Sequence, residues 1–288
     1  MNGIDAAPNA GIEAAVEAAQ NGSKSALEQV VTYAQGYVYN LALRMLQRPS
    51  DAEDATQEIL IKLITNLAQF RGESAFSTWM YRLATNSLLN MQQRDPTRRN
   101  VSFETISQRI DFSLATQSAT PEETLAEEEL SEEIRRGCTL GMLYALDRED
   151  RLALILGELV GVNSDEGAYI MATTPGAYRQ RLSRARRTLI AFVSKQCGVV
   201  NPESPCRCHK HVQNQRTTGE LNPQALRYAQ AHTAESAAQL AQTERPDLDV
   251  LQRGLALFRA HPIYASRIDF HQMIDHLFST SSDNNPDV

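Results

Sequence analysis

From Leu27 to Met91 apolar residues return every three or four positions, the period of an amphipathic helix, and the pattern breaks at Pro49-Ser50 and across Arg71-Gly72-Glu73-Ser74. This spacing predicts three or four helices in a compact unit over residues 25–95. The preceding stretch, residues 1–24, is rich in Ala, Asn and Gly and reads as a flexible leader or a weak helix outside any core. After Asp95 the period lapses. Two prolines, many Ser and Thr, and an acidic run from Glu122 to Glu133 predict an exposed linker over 96–131. Helical spacing resumes at Ile134 and runs to about Val193, interrupted at Gly161-Val162-Asn163 and Thr173-Thr174-Pro175, which predicts a second small unit over 132–194. Residues 195–216 lose the period again and need something other than a core to order them. Beyond them, residues 217–280 predict a helical extension in three segments, near 223–242, 247–260 and 266–278, ahead of a polar tail over 281–288. No repeat and no strand pattern is present, so the fold class is all-α.

Composition narrows the function. At 288 residues the chain is long for one core, and 42% hydrophobic with 22% charged residues is ordinary globular usage. The formal charge is −7, from 28 Lys and Arg against 35 Asp and Glu, so any affinity for nucleic acid has to come from a local basic patch. No apolar run approaches the ~20 residues of a bilayer span, and the first thirty residues lack a signal-peptide pattern, so the expectation is a cytoplasmic protein with no membrane partner.

Within the first unit, Ser50-Asp51-Ala52-Glu53 has capping-box spacing and starts a helix whose Ala52, Ala55, Ile59, Leu63 and Leu67 share one face. Asp51, Asp54, Gln57 and Glu58 form a carboxylate and amide strip on the other face, suited to a basic partner. The segment that follows, Phe70-Arg71-Gly72-Glu73-Ser74-Ala75-Phe76-Ser77-Thr78-Trp79-Met80-Tyr81, holds four of the chain's 18 aromatics in twelve residues, where an even spread would place fewer than one. Unstacked bases need apolar platforms, edge readers and cations along the backbone, and this segment with Arg82 and Asn86 supplies all three. Spacing turns Phe76, Met80 and Leu83 inward.

The later unit carries Ala145-Leu146-Asp147-Arg148-Glu149-Asp150-Arg151, then Asn163 to Met171, then a helix opened by Thr174 as cap and Pro175 at its first position. That helix bears Arg179, Arg181, Arg184, Arg186 and Arg187 with no acid among them, the local basic patch that the net charge demands.

These two blocks, spanning roughly residues 27–194, resemble the bacterial extracytoplasmic-function (group IV) sigma factors of RNA polymerase, here followed by a cysteine-containing C-terminal extension. The resemblance implies two small helical sigma domains, domain two and a helix-turn-helix domain four, joined by the acidic linker. It implies that Asp51, Asp54, Gln57 and Glu58 dock on the core polymerase through its β′ subunit, with β as a further partner. Phe70, Arg71, Ser74, Phe76, Trp79 and Asn86 would meet the opened minus-ten strand. Arg179, Gln180 and Arg181 would read the minus-35 duplex, with Arg184 and Arg187 on phosphates. Promoter DNA and an anti-sigma protein follow as partners, and the implied role is transcription initiation, with no covalent chemistry and no cofactor required. The family carries a bulky apolar residue where Gly167 stands and a glycine where Ala172 stands, departures that weaken the scanning helix by ~1 kcal/mol and alter the turn.

Four cysteines are too few for a disulfide scaffold of this length, yet Cys197, Cys206 and Cys208 fall within twelve residues, followed by His209 and His211. Such soft donors suit zinc or copper(I), with Cys138, His209 or His211 as a fourth ligand; a redox thiol cluster and plain reduced cysteines stand beside that reading. The extension's apolar positions, Leu226, Leu240, Leu251, Leu255, Leu257, Phe258, Ile268, Phe270, Ile274 and Leu277, must be buried, either in a module packed on itself or against a sigma domain as a regulator in cis. The competing function is a metal- or redox-responsive helix-turn-helix regulator that needs no polymerase.

Overall fold

The structure, a computed structural model, describes residues 9–94, 101–115, 125–228, 234–268 and 270. Among them the chain is all-α, its one extended pairing being an isolated parallel bridge between Cys197 and Cys206. Helix α1 (Asn9–Gln20) belongs to the stretch read as a leader, and that reading is corrected here. Ile12, Ala15 and Val16 repeat at helical spacing and are buried in the core. Alanines give this face little bulk, but enough to pack.

Helix α2 (Lys24–Leu46) starts at Ser23, whose hydroxyl accepts the Ala26 N–H at 3.3 Å, and buries Val30, Val31, Ala34, Val38, Leu41 and Met45. Helix α3 (Pro49–Asn66) begins earlier than the capping-box spacing predicts: Pro49 takes the first turn and Arg48 the cap position, so Ser50 lies inside the helix. The fixed φ of proline favours that start, where its missing N–H costs nothing. Helix α4 (Phe76–Arg94) completes the first unit.

The linker is corrected as well. Residues 103–115 form helix α5 (Phe103–Ala115) with Ile106 and Ile110 buried, and helix α6 (Leu125–Tyr144) starts inside the predicted linker. Glu122 and Glu123 lie outside the described residues. Glu133 is buried, its carboxylate accepting the backbone N–H groups of Arg227 and Tyr228 at 2.7 Å each, while Glu132 pairs with Arg135 and Arg136. The end of the charge run is taken into the interior, Glu132 and Glu133 each meeting donors, while Glu128 and Glu129 stay exposed. The same contact corrects the first segment of the extension: residues 223–228 form turns, since the N–H groups a helix would use are spent on Glu133.

Helix α7 (Arg148–Leu154), a π turn over Ile155–Val160, helix α8 (Ser164–Ile170) and helix α9 (Pro175–Gln196) make the second unit. The two units are packed together rather than held apart. Arg151, 2% exposed, donates to Met45 O at 2.5 Å and to the carbonyls of Tyr144 and Leu146, tying the end of α2 to α6 and α7. After α9 come α10 (Val212–Thr217), α11 (Ala234–Ala241) and α12 (Val250–Arg259), the last burying Leu255, Leu257 and Phe258. Most of the third predicted C-terminal segment, with Ile274 and Leu277, lies outside the described residues. Residues 197–212 are ordered in part by apolar burial after all, with Cys197, Val200, Cys206 and Val212 all buried.

Candidate nucleic-acid interface

On α3, burial of Ala52, Ala55, Ile59 and Leu63 turns Asp54, Gln57 and Glu58 outward, with Asp51 half-buried at the first turn. Glu58 is bonded to Lys62 at 2.5 Å; Asp54 and Gln57 complete a strip open to a partner.

The loop before α4 is built from aromatic contacts. Phe70 stands edge-on to Phe76 at 5.6 Å between centroids, and Trp79 lies 5.5 Å from Phe70 and 5.8 Å from Phe76. Phe76 is wholly buried, which corrects its assignment as a base contact: it backs the half-buried Phe70 and Trp79, whose remaining faces are the available platforms. Arg71 and Asn86 are exposed, and Ser74 is half-buried with its hydroxyl donating to Ala75 O at 3.3 Å. Helix α1 braces this loop, a role no motif announced. Glu13 accepts the Phe76 N–H at 2.9 Å, and Gln20 donates to Leu67 O at 2.9 Å and Phe70 O at 2.8 Å. Gly72, with φ +69°, makes the turn.

In the second unit Asn163 caps α8, accepting the N–H groups of Asp165 and Glu166 while Glu166 accepts the Asn163 N–H in return. Thr174 caps α9 through the Ala177 N–H at 3.2 Å. The space left at Gly167 is filled by α9, whose Tyr178 ring lies where a Cβ on Gly167 would point. Ala172 adopts φ +49°, a left-handed conformation that strains any residue with a Cβ.

The basic patch is partly neutralised by acids from other helices. Arg184 makes a two-pronged bond with buried Asp150, Arg181 pairs with Glu149 at 2.6 Å and donates to Thr173, and Arg186 binds buried Glu158. Arg179, Gln180 and Arg187 are exposed on α9 without an ion-pair partner among the described residues. The sequence holds these acids in Glu149-Asp150 and Glu158, but helical spacing does not reveal that they face α9.

All four thiols converge with His211 on one cavity of about 840 Å³, whereas His209 lies with Cys208 on a neighbouring one. Cys206 Sγ is 3.2 Å from His211 Nε2, and His211 Nδ1 shares a hydrogen bond with Ser113 at 2.7 Å. Burial pushes Cys206 and Cys208 up to about 12 and raises Cys138 and Cys197 as well, the last eased by the backbone N–H groups of Val199 and Val200. Among the described residues no three His, Cys, Asp or Glu side chains close on a shared point in metal-binding geometry. The structure thus gathers Cys138, Cys197, Cys206, Cys208 and His211 without forming a cage. No described helix is long and apolar enough to cross a membrane.

Comparison with known proteins locates the first unit. The model of the family Sigma-70 region 2 matches residues 30–96. The ECF RNA polymerase sigma-E factor of Haemophilus influenzae is 34% identical over 181 residues, covering 62% of this chain and 92% of that protein. The RNA polymerase sigma-H factor of Pseudomonas aeruginosa is 29% identical over 177 residues, covering 60% and 89%. The solved structure of CnrH in complex with the cytosolic domain of CnrY aligns at a TM-score of 0.43 and 21% identity, over 62% of this chain and 95% of that one.

Proposed function

The chain belongs to the ECF RNA polymerase sigma factors, which direct transcription initiation, and from that premise we infer how its surfaces divide the work. The strip on α3 (Asp51, Asp54, Gln57 and Glu58) docks on the core polymerase at β′. Phe70 and Trp79 receive unstacked bases of the minus-ten strand, with Arg71, Ser74 and Asn86 reading or holding it. Arg179, Gln180 and Arg181 read the minus-35 duplex from the first turns of α9, Arg181 on release from half-buried Glu149, and Arg187 meets phosphate; Arg184, held by buried Asp150, is left out of that contact. The protein positions DNA and makes no covalent bond, acting in the cytoplasm beside the polymerase. The observation that carries this division is that Asn86 and Arg179 stand exposed on two different helices, each backed by a rigid core.

The decisive experiment is run-off transcription from genomic promoter fragments with purified core enzyme. Asn86→Ala and Arg179→Ala are each expected to lower promoter-specific initiation by roughly 5- to 100-fold, the worth of one good edge contact. Unchanged initiation in both variants removes these site assignments. Failure of the chain to comigrate with core enzyme removes the polymerase reading and leaves the helix-turn-helix regulator.

Zinc enters this reading as a structural ion, with no part in initiation. Cys138, Cys197, Cys206 and Cys208 are the donors we propose for it, and they would have to move together to close on the ion, because no three of them share a metal-binding point in this structure. Elemental analysis of the purified chain tests it: about one zinc per molecule is expected, lost in Cys197→Ser and kept in His209→Ala. An anti-sigma partner is tested by co-purification from the native host.

A further inference from the structure

The extension does not pack only on itself. Gly254 of α12 lies so close to α9 that a Cβ there would sit 2.4 Å from Ile190 Cδ1. Arg259, at the end of α12, reaches Glu158, the carboxylate that also binds Arg186 of the recognition helix. A few residues later the chain has crossed to the other half of the molecule. Asn40 of α2, wholly buried, pairs both edges of its amide with the Tyr264 backbone, accepting the N–H at 2.9 Å and donating to the carbonyl at 2.9 Å. Arg44 of α2 donates to Pro262 O at 3.4 Å and faces the Tyr264 ring, 5.7 Å from its centroid. The Tyr264 ring is 2% exposed, its hydroxyl bonded to His261 at 2.8 Å, and His261 in turn meets Thr139 of α6 at 2.5 Å. Further on, the Arg267 N–H donates to Glu53 of α3 at 3.1 Å. A side-chain amide satisfied on both edges by one backbone residue is the way a receptor holds an extended peptide.

The halves bridged in this way are the two that read DNA. Helix α4 packs directly on α8, with the Arg82 guanidinium 4.3 Å from the centroid of the Tyr169 ring, so α4 and α9 are separated by little more than one helix. Elements at minus ten and minus 35 are about 25 base pairs apart, roughly 85 Å of duplex at 3.4 Å per step. A molecule with α4 docked on α8 cannot place α4 on one element and α9 on the other.

We propose that residues 260–268 form an intramolecular strap that keeps the two DNA-reading halves closed on each other, so that the extension restrains initiation in cis. The proposal rests on the sigma-factor reading for its functional consequence, and on the contacts above for the strap itself. Engagement with the polymerase and promoter requires the strap to leave Asn40 and Arg44.

The test uses the full-length chain and two variants. Tyr264→Ala deletes the buried ring, and Glu53→Ala removes the α3 acceptor of the Arg267 N–H at a half-buried position on the surface of the helix, with little risk to the fold. Small-angle scattering reads the closure, and run-off transcription with limiting chain and excess core polymerase reads the restraint. Tyr264→Ala is expected to shift the closed-to-open ratio by roughly tenfold or more, enlarging the radius of gyration and raising initiation by about threefold or more. Glu53→Ala moves both in the same sense by less, and alone decides the matter should Tyr264→Ala lose helical circular dichroism. Unchanged or smaller radius, or unchanged or lower initiation, in folded variants overturns the strap. A wild-type chain that fails to bind core polymerase overturns the sigma reading instead, while scattering still decides whether the strap closes the molecule.

Discussion

Gly167 stands where the family carries a bulky apolar residue, and helix propensity favours replacing a mid-helix glycine, by ~1 kcal/mol for alanine. The structure reverses that sign. A Cβ at position 167 would sit 2.3 Å from Tyr178 Cζ and 2.5 Å from Cε2, inside contact distance of a ring that is itself 1% exposed. The ring is held at its far end as well: its hydroxyl donates to Ala153 O at 3.4 Å and lies close over Gly157, whose added Cβ would sit 3.0 Å from the Tyr178 hydroxyl oxygen. Gly167→Leu must therefore move α8 off α9 or drive Tyr178 from its rotamer, an overpacking cost of about 1–3 kcal/mol. At about 2–4 °C per kcal/mol for a chain of this size, the midpoint should fall by roughly 2–12 °C. Gly167→Ala should also lose stability, by less, because its propensity gain offsets part of the clash.

The assay is thermal unfolding of wild type, Gly167→Leu, Tyr178→Ala and the double variant. Removing the ring makes room for leucine, so the double variant should be more stable than the sum of the single losses predicts, with a coupling of about 0.5–3 kcal/mol. Minus-35 duplex binding should track the same order, since the ring sets the angle between scanning and recognition helices. A Gly167→Leu chain that melts at or above wild type, or a coupling near zero, refutes the reasoning, because either result means that the space over Gly167 is free.

Ala172→Gly relieves a left-handed residue and should stabilise the chain by a few tenths to about 1 kcal/mol in denaturant unfolding, the entropy of glycine taking back part of the relief. Arg179→Ala should weaken minus-35 duplex binding and reduce the slope of log affinity against log salt by about 1 if the side chain meets phosphate, and leave the slope nearly unchanged if it reads a base edge. Burial, with Arg44, Arg136 and Arg135 beside it, holds His261 well below the ordinary imidazole value. Above about pH 6.5 the imidazole is neutral in both states; below it the unfolded chain takes up a proton that the folded chain refuses, so stability should fall as pH drops from about 6.5 toward the lowered folded value, and His261→Gln should flatten that fall in melts across the range. His211, also lowered by burial first and then by His209 and Lys210, adds to the same slope.

The helical period was enough to place α2, α3, α4 and α9, because each buries a continuous apolar stripe, Val and Leu in α2, Phe76, Met80, Ala84 and Leu88 in α4. It was too weak for α1, whose stripe is mostly alanine and whose purpose, bracing the aromatic loop through Glu13 and Gln20, depends on contacts some fifty residues away. Composition misled at Glu132 and Glu133. A run of glutamates is normally solvated; the pairing of Glu132 with Arg135 and Arg136 follows from i,i+3 and i,i+4 helical spacing, but only the fold brings the backbone of residues 227–228 to Glu133. The aromatic cluster was visible as a cluster, but not the division between a buried Phe76 and the half-exposed Phe70 and Trp79, which follows from helix register against Tyr33. The convergence of Cys138 with the three later thiols was legible only as an option among several donors.

The acids facing α9 decide which arginines can serve DNA. To reach a phosphate, Arg184 would have to abandon Asp150 and Arg186 would have to abandon Glu158, and each carboxylate is only 5% exposed. Stripping a buried carboxylate of its cation costs more than a solvent-screened phosphate contact returns. On the proposed reading these two side chains orient α9, and contact with DNA is left to Arg179, Gln180 and Arg187 and to Arg181, whose partner Glu149 is only half-buried. Glu158 also binds Arg259 of the extension, so a single buried carboxylate holds the recognition helix with one oxygen and the extension with the other. The extension and α9 are therefore linked through one carboxylate, and withdrawing Arg259 would leave Arg186 as the remaining cation on Glu158 among these contacts.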